Sequence, residues 1–383
     1  MKIFFLACIL LLTVTCASTQ NTSPHFKITS IKVCNAPGSL ETADFNKDGL
    51  PDLVVASETD SSVTILLSSG NGKFQPAPGS PFHAGQIPND VTVKDLNNDS
   101  NVDLIIANHE KKQVTILNGD GLGGFTQSPY SPFRTKGIPH THGVAIGDFN
   151  KDGLPDLVTD SWGNDQLEVF FGDVNKLFIN DGKFLQVGKR PYQRHRVADV
   201  NGDGADDIVA TNMESNNATV LLSDGTGGFF QPAGSPFPCG DAPFGLAIGD
   251  VNGDGRTDRA IINSPSSSHE SKGLDGLTIL LGDGAGGFRK MKGSPFVAGR
   301  TPNRIAIGDV NGDGVNDIVT SAFEDNKIFL FLMSKRESNV TGIPVETGNH
   351  PKGLAIVDLN NDGREDVIVC NNADNSISIL ISN

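Results

Sequence analysis

Seven copies of one nine-residue phrase carry the side chains best suited to metal chemistry. The phrase reads Asp-x-Asn-x-Asp-Gly-x-x-Asp with small variations, and its copies begin at Asp44, Asp95, Asp148, Asp199, Asp250, Asp309 and Asp358. Positions 1, 3, 5 and 9 offer side-chain oxygens, position 7 offers a backbone carbonyl, and glycine at position 6 permits a sharp turn. A cage of protein oxygens favours Ca²⁺ over Mg²⁺, which keeps its waters. We therefore predict up to seven structural Ca²⁺ ions.

The predicted ligands occupy positions 1, 3, 5, 7 and 9 of each copy, position 7 through its carbonyl oxygen. They are Asp44, Asn46, Asp48, Leu50 and Asp52; Asp95, Asn97, Asp99, Asn101 and Asp103; Asp148, Asn150, Asp152, Leu154 and Asp156; Asp199, Asn201, Asp203, Ala205 and Asp207; Asp250, Asn252, Asp254, Arg256 and Asp258; Asp309, Asn311, Asp313, Val315 and Asp317; and Asp358, Asn360, Asp362, Arg364 and Asp366. The alternative is that the phrases form turns that bind no metal. Such turns would have no reason to keep Asp at positions 1, 5 and 9 in every copy. Ser100 replaces the glycine of the second copy, so we expect a weaker site there.

The charge of the chain agrees with a metal role for these acids. The sequence holds 45 Asp and Glu against 30 Lys and Arg, a formal net charge of −15, and the seven phrases contain 23 of the acids. Seven Ca²⁺ ions would bring the net charge close to zero. The acidic balance also disfavours a nucleic-acid partner, because phosphate binding requires a basic surface.

The elements around each phrase predict an all-β fold. An apolar stretch precedes each phrase and a β-rich run follows it, which places the phrase in a hairpin turn. A third strand and a Gly-rich turn ending in Phe follow in most units, and the phrases recur every 49 to 59 residues. Units of this length with four short strands are propeller blades. The seventh unit ends after its third strand, so we predict a seven-bladed β-propeller over residues 26–383, in which the N-terminal strand from Phe26 to Val33 closes the last blade.

The first residues resemble a secretory signal. Lys2 is followed by an apolar run and by the small residues Thr15 and Ala17, which predicts a signal peptide over residues 1–17 and a linker over 18–25. Lipid attachment at Cys16 is the minor alternative. We expect a secreted or cell-surface protein that is a monomer and has no membrane span, with its remaining cysteines as free thiols.

The face opposite the predicted calcium turns is the expected ligand-binding side. Residues five positions before each phrase should ring the mouth of the channel, and blades 3 and 4 depart most from the common pattern. The candidate ligand-binding residues are His140, His142, Trp162, Tyr192, Arg194, His195 and Arg304. Three interpretations remain open for them: packing at a blade junction, binding of an acidic sugar or a protein carboxylate, and base catalysis by Tyr192 or His195 beside Arg194. A zinc site at His140, His142 and His195 is a weaker possibility.

The repeated phrase and the Gly-Gly-Phe turn resemble the FG-GAP/VCBS repeat family, whose blade also builds the head of the integrin α-subunit. The resemblance covers Phe26 to the C-terminus and implies a seven-bladed propeller with calcium loops on its lower face. It does not imply one activity, because members include binding and adhesion propellers, lectins and polysaccharide lyases. We expect a non-catalytic binding or adhesion module for a protein or polysaccharide ligand. A lectin or a polysaccharide lyase acting at the sector of blades 3 and 4 is the alternative.

Overall fold

Seven antiparallel sheets are arranged around one axis in the computed structural model, which describes residues 25–191, 195–265, 275–335 and 340–383. The predicted seven-bladed propeller with four-stranded blades is therefore confirmed. The predicted signal peptide, the linker up to residue 24, Tyr192 and Arg194 lie outside the described residues. Across the described part of the chain, no helix has the length and apolar character needed to cross a membrane.

The first strand of each blade lies innermost. Each contacts the first strands of both neighbouring blades, and these contacts run without a break around the axis. The seven innermost strands are Pro37–Ala43, Pro88–Lys94, Val144–Gly147, His195–Ala198, Pro243–Gly249, Pro302–Gly308 and Pro351–Val357.

The second strands are buried along their whole length. Each begins at position 9 of the repeated phrase, and neighbouring blades cover both of its faces, so its central residues are mostly apolar without the alternation of a half-exposed strand. They are Asp52–Ser57, Asp103–Asn108, Asp156–Ser161, Asp207–Asn212, Asp258–Asn263, Asp317–Ala322 and Asp366–Asn371.

The third and fourth strands complete each blade in antiparallel order. The third strands are Ser62–Ser68, Gln113–Gly119, Gln166–Phe170, Asn217–Ser223, Gly276–Gly282, Lys327–Phe331 and Ser376–Ser382. The fourth strands are Phe74–Pro76, Phe125–Gln127, Lys183–Gln186, Phe229–Phe230, Phe288–Lys290, Ile343–Glu346 and Phe26–Lys32.

A few short elements lie outside the four main strands of each blade. Three two-residue strands pair with the third strands of blades 1, 2 and 4: Phe82–His83, Phe133–Arg134 and Phe237–Pro238. Blade 3 carries a small ribbon of Gly172–Asp173 and Leu177–Phe178. Single turns of 3₁₀ helix span Trp162–Asn164, Phe323–Asp325 and Asn372–Asp374.

The N-terminal strand closes the ring as predicted. Phe26–Lys32 pairs antiparallel with the C-terminal strand, with Phe26 opposite Ser382 and Lys32 opposite Ser376. Phe26 thus takes the place that Phe74 takes opposite Ser68 in blade 1. Pairing of the two chain ends removes the free edge of the last blade.

The hydrophobic core is divided among the blade junctions. The described residues form seven buried clusters, and each joins neighbouring blades. The cluster that packs Leu40 and Val55 of blade 1 against Ile368 and Ile377 of blade 7 completes the circle. Aromatic pairs cross several junctions, for example Phe45 and Phe125, whose ring centroids lie 5.5 Å apart. Each blade is therefore stabilised by its neighbours on both sides.

Candidate functional site

All seven phrases form the same loop between the first and second strands of a blade. In blade 1, the carboxylate of Asp44 accepts hydrogen bonds from the amides of Asp48 and Gly49 at 3.1 and 2.8 Å. The amide of Asp48 also donates to Asn46 Oδ1, and Asp48 Oδ1 accepts from the amide of Leu50 at 2.9 Å. The equivalent bonds are present in the other six loops. Local hydrogen bonds thus gather the side-chain oxygens of positions 1, 3 and 5 around one turn.

The aspartate at position 9 has a structural role that the sequence did not predict. Asp52 is buried; its Oδ2 accepts from the amide of Phe45 at 2.9 Å and its Oδ1 from the amide of Ser68 at 2.7 Å. All seven aspartates at this position accept from a backbone amide at the end of the third strand or, in blades 3 and 6, two residues after it. Each oxygen keeps a second lone pair for a cation. The constancy of Asp at position 9 is the sequence signal for this role, although a metal ligand would require the same constancy.

The carboxylates of each loop lie close enough to repel one another. Burial, followed by the charges at positions 5 and 1, raises the pKa of Asp103, Asp156 and Asp207 to about 6 and that of Asp317 to about 7. Repulsion of this kind is relieved by a cation. The oxygen-only donor set of the loops therefore fits a hard divalent ion such as Ca²⁺.

The loops are not equivalent. Ser100, at position 6 of the second loop, has φ of +67°, a conformation that costs a residue with a Cβ more than it costs glycine. In blade 4 a lysine from the neighbouring loop approaches the site, because Lys151 Nζ lies 2.6 Å from the carbonyl oxygen of Asp203 and 3.7 Å from its Oδ1. The ammonium group partly neutralises this loop, so we expect different cation affinities among the seven.

On the opposite face, two of the predicted ligand-binding histidines meet a third that the sequence analysis missed. His140 Nε2 lies 3.1 Å from His142 Nε2, and the His109 ring packs against both. Trp162 is beside them, with its ring centroid 5.9 Å from that of His140. His109 stands six residues after position 9 in blade 2, as Trp162 does in blade 3. Aligning the repeats on position 9 shows that the two positions are equivalent.

The remaining described candidates are buried away from this cluster. His195 is 2% exposed, and its Nε2 lies 3.0 Å from the carbonyl oxygen of Val158. The imidazole next to His140 and His142 is thus that of His109, whereas His195 is held inside the blade. Burial lowers the pKa of His195, which keeps it neutral.

Arg304 lies at the wall of the central channel. It is 9% exposed, and its Nη2 lies 3.5 Å from the carbonyl oxygen of Asn89. Asp90, Glu58 and Glu41 are acidic groups around it, and burial raises the pKa of Glu41 to about 7. The described residues five positions before each phrase are buried: Ser39, Asp90, Gly143, Gly245, Arg304 and Gly353. Arg304 therefore belongs to the packing around the axis.

A cleft that the sequence did not indicate opens beside the loops of blades 2 and 3. It has a volume of about 590 Å³ and lies between Asn97, Pro155 and the exposed Val174 of the blade 3 ribbon. Tyr130 borders it, and its hydroxyl donates to the carbonyl oxygen of Asn175 at 2.8 Å. Asp173, Val174 and Leu177 of the blade 3 ribbon line one side of the cleft.

The fold is shared with solved propellers of low sequence identity. BBS1N in complex with ARL6DN, from a crystal soaked with mercury, is 12% identical, with coverage of 94% of this chain and 97% of that chain and a TM-score of 0.60. The streptogramin B lyase structure is 14% identical over 94% of this chain and 98% of that chain, with a TM-score of 0.56. At these identities the likeness concerns the fold alone.

Sequence comparison identifies the repeat. No curated protein matches the chain in sequence. The family described as FG-GAP-like repeat matches residues 44–106, 95–159, 199–261 and 309–369, which together make up more than half of the chain. Each of these stretches begins at the first aspartate of a phrase and ends in the second strand of the next blade. The chain therefore belongs to the FG-GAP-like repeat family.

Proposed function

We propose that this protein is a secreted, calcium-stabilised propeller that acts as a non-catalytic binding module for a protein or glycan ligand. The observation that carries the calcium part is the sevenfold repetition of one hydrogen-bonded loop. In each loop, carboxylates from positions 1, 5 and 9 converge, and burial, followed by the charges at positions 5 and 1, raises the pKa of the aspartate at position 9. Such a site favours a bound cation.

The expected role of the ions is structural. An ion present at ten times its dissociation constant stabilises the native state by about 1.4 kcal/mol, and seven independent sites by roughly 10 kcal/mol. This is comparable to the whole stability of an ordinary domain. The loops join the first and second strands, so ions bound there stabilise the inner half of every blade.

Elemental analysis and thermal unfolding test the calcium sites. We expect close to seven calcium ions per protein and a melting temperature lowered by more than about ten degrees in EDTA. In Asp254→Asn, which alters position 5 of the blade 5 loop, one ion should be lost. Asp241→Asn, on an exposed residue outside the loops, serves as the matched control. Near-zero calcium with an unchanged melt would refute the proposal.

The ligand is expected on the face opposite the loops, at the sector around Trp162. The Arg190 guanidinium lies 5.2 Å from the Trp162 ring centroid and 3.4 Å from Glu214 Oε1. A flat indole with a guanidinium beside it suits an acidic sugar or a protein carboxylate.

Binding to alginate, a uronic-acid polymer, tests this sector. We expect Trp162→Ala to weaken retention on immobilised alginate at least tenfold, and Phe230→Ala, on an exposed ring of blade 4, to leave retention unchanged. Equal retention of both variants would place the ligand elsewhere. New ultraviolet absorbance from unsaturated sugars would instead favour the lyase alternative.

A further inference from the structure

Three imidazoles converge at the junction of blades 2 and 3, on the face opposite the acidic loops. The possible ligand nitrogens of His109, His140 and His142 all lie within 4.8 Å of one another, and the three ring centroids are 4.5 to 4.7 Å apart. A tetrahedral zinc ion with bonds of 2.0 to 2.1 Å holds its nitrogen ligands about 3.3 Å apart. The pair His140 and His142, at 3.1 Å, is already near this spacing.

A buried carboxylate orients one of the three rings. His142 Nδ1 lies 3.0 Å from Asp160 Oδ2, and both side chains are almost fully buried. Asp160 Oδ1 accepts from the amides of His142 and Gly143, each at 2.8 Å, so the carboxylate cannot rotate freely. A proton on Nδ1 leaves the Nε2 lone pair directed at the other two imidazoles. Carboxylate–histidine pairs of this kind accompany metal-bound histidines and fix their tautomer.

The backbone around the cluster is held from both blades. The amide of Thr141 donates to the carbonyl oxygen of Lys111, and Asn89 Nδ2 donates to the carbonyl oxygen of His142 at 2.8 Å. These hydrogen bonds hold the segment that carries His140 and His142 against blade 2, which carries His109. Only a small rearrangement would therefore be required for an ion to bind.

Packing alone does not explain a histidine at position 109. The equivalent residues of the other blades are Glu58, Trp162, Met213, Ser264, Phe323 and Asn372, so the fold accepts side chains of every kind there. A histidine at this position places its imidazole beside those of His140 and His142, with ring centroids 4.6 and 4.7 Å from theirs.

We propose that His109, His140 and His142 form a binding site for one zinc ion, with Asp160 as a positioning residue. Three protein ligands leave the fourth position open to water or to a group of a bound partner. Nitrogen donors select zinc and related transition metals, whereas Ca²⁺ takes oxygen ligands. The site is therefore chemically separate from the seven loops and does not depend on their function.

The test uses the full chain, freed of transition metals and kept in excess Ca²⁺ so that the acidic loops are occupied. Zn²⁺ is titrated by calorimetry, and in parallel Cu²⁺ is added while the fluorescence of Trp162, the single tryptophan, is recorded. We expect one equivalent of Zn²⁺ to bind. We also expect one equivalent of Cu²⁺ to quench Trp162, and Zn²⁺ to compete with that quenching.

Substitutions separate this site from other histidines. We expect Asp160→Asn to weaken zinc affinity about 10- to 100-fold and His140→Ala to weaken it by more than that. His83→Ala, on an exposed residue of blade 1, should bind like the parent. Melts in calcium show whether each variant is folded, and His109→Ala provides a second ligand variant. Absence of zinc binding in the parent, or equal binding by folded parent, His140→Ala and His109→Ala, would overturn the proposal.

Discussion

The carboxylate of Asp366 accepts a hydrogen bond from the backbone amide of Ser382, with Oδ1 and the nitrogen 2.8 Å apart. Its other oxygen accepts from the amide of Leu359 at 2.9 Å. Ser382 is also the residue opposite Phe26, where the two ends of the chain pair. One buried side chain thus connects the acidic loop of blade 7 to the strand pairing that closes the ring.

Replacement of this carboxylate should destabilise the fold even without calcium. In Asp366→Ala, two buried amides lose their acceptor, and we expect a loss of about 2–5 kcal/mol in the free energy of unfolding. Urea unfolding in excess EDTA measures this loss apart from any ion. Asp181→Ala, on a side chain that is 92% exposed, is the control and should leave the free energy of unfolding almost unchanged. Equal stability of both variants in EDTA would show that Asp366 acts only as a ligand.

Removal of the closing strand should destabilise the whole ring. A chain that begins at Val33 lacks Phe26–Lys32 and exposes the edge of the C-terminal strand, whose backbone groups then have no partner in the sheet. We expect a lower melting temperature and self-association, measured by calorimetry and light scattering. A chain that begins at residue 25 keeps the strand and is the control. A truncated protein that melts like this control and stays monomeric would contradict the closure.

Arg259 places a charged group in the described core, where burial of a charge costs free energy. It is fully buried, its guanidinium carbon lies 3.4 Å from the centroid of the Phe288 ring, and burial lowers its pKa to about 9. Within the described residues its guanidinium nitrogens have no hydrogen-bond partner. The equivalent residues of the other blades are Leu53, Leu104, Leu157, Ile208, Ile318 and Val367.

An aliphatic side chain at this position should therefore stabilise the protein. We expect Arg259→Leu to raise the free energy of unfolding by about 1–4 kcal/mol, because the cost of burying the charge disappears. Arg134→Leu, at an exposed position, controls for the general effect of removing an arginine. A destabilised Arg259→Leu protein would mean that Asp207 and Asp258, the nearby carboxylates, need this charge.

The second acidic loop should improve when its glycine is restored. Ser100→Gly removes the strain of a positive φ, and we expect a gain of up to about 1 kcal/mol in stability and tighter calcium binding at one site. Calcium titration of the parent and the variant measures both effects. Ser69→Gly, on a residue with no positive φ, is the comparison. Weaker binding in Ser100→Gly would show that the strain is absent or is offset elsewhere.

The channel wall should contribute a pH dependence. Burial raises the pKa of Glu41 from 4.5 to about 7, against the lowering effects of Arg196 and Arg304, while Asp90 raises it further. The native state therefore holds this proton more tightly than the unfolded chain, and the stability it contributes is lost as the pH rises from about 4.5 to 7. Glu41→Gln should flatten this part of the stability profile and be more stable than the parent at pH 8. Glu324→Gln, at an exposed position, should follow the parent.

Periodicity explains why the fold was predictable and why part of the candidate site was not. Blade number, strand order and the pairing of Phe26 follow from a repeated local pattern, and each strand is defined by residues near it in sequence. His109 joins His140 and His142 only because loops from two blades meet at one junction. To predict this contact one must know how each blade is rotated relative to the next, and the repeated local pattern does not give that rotation.

The sequence by itself determined that acidic oxygens recur at fixed spacing in seven turns, because each turn is built from nine consecutive residues and their local hydrogen bonds. Tertiary structure decided which of those oxygens also hold the blades together, as Asp366 does through Ser382. It also decided that Arg304 and His195 lie inside while His140 stays half-exposed, because burial depends on how neighbouring blades pack.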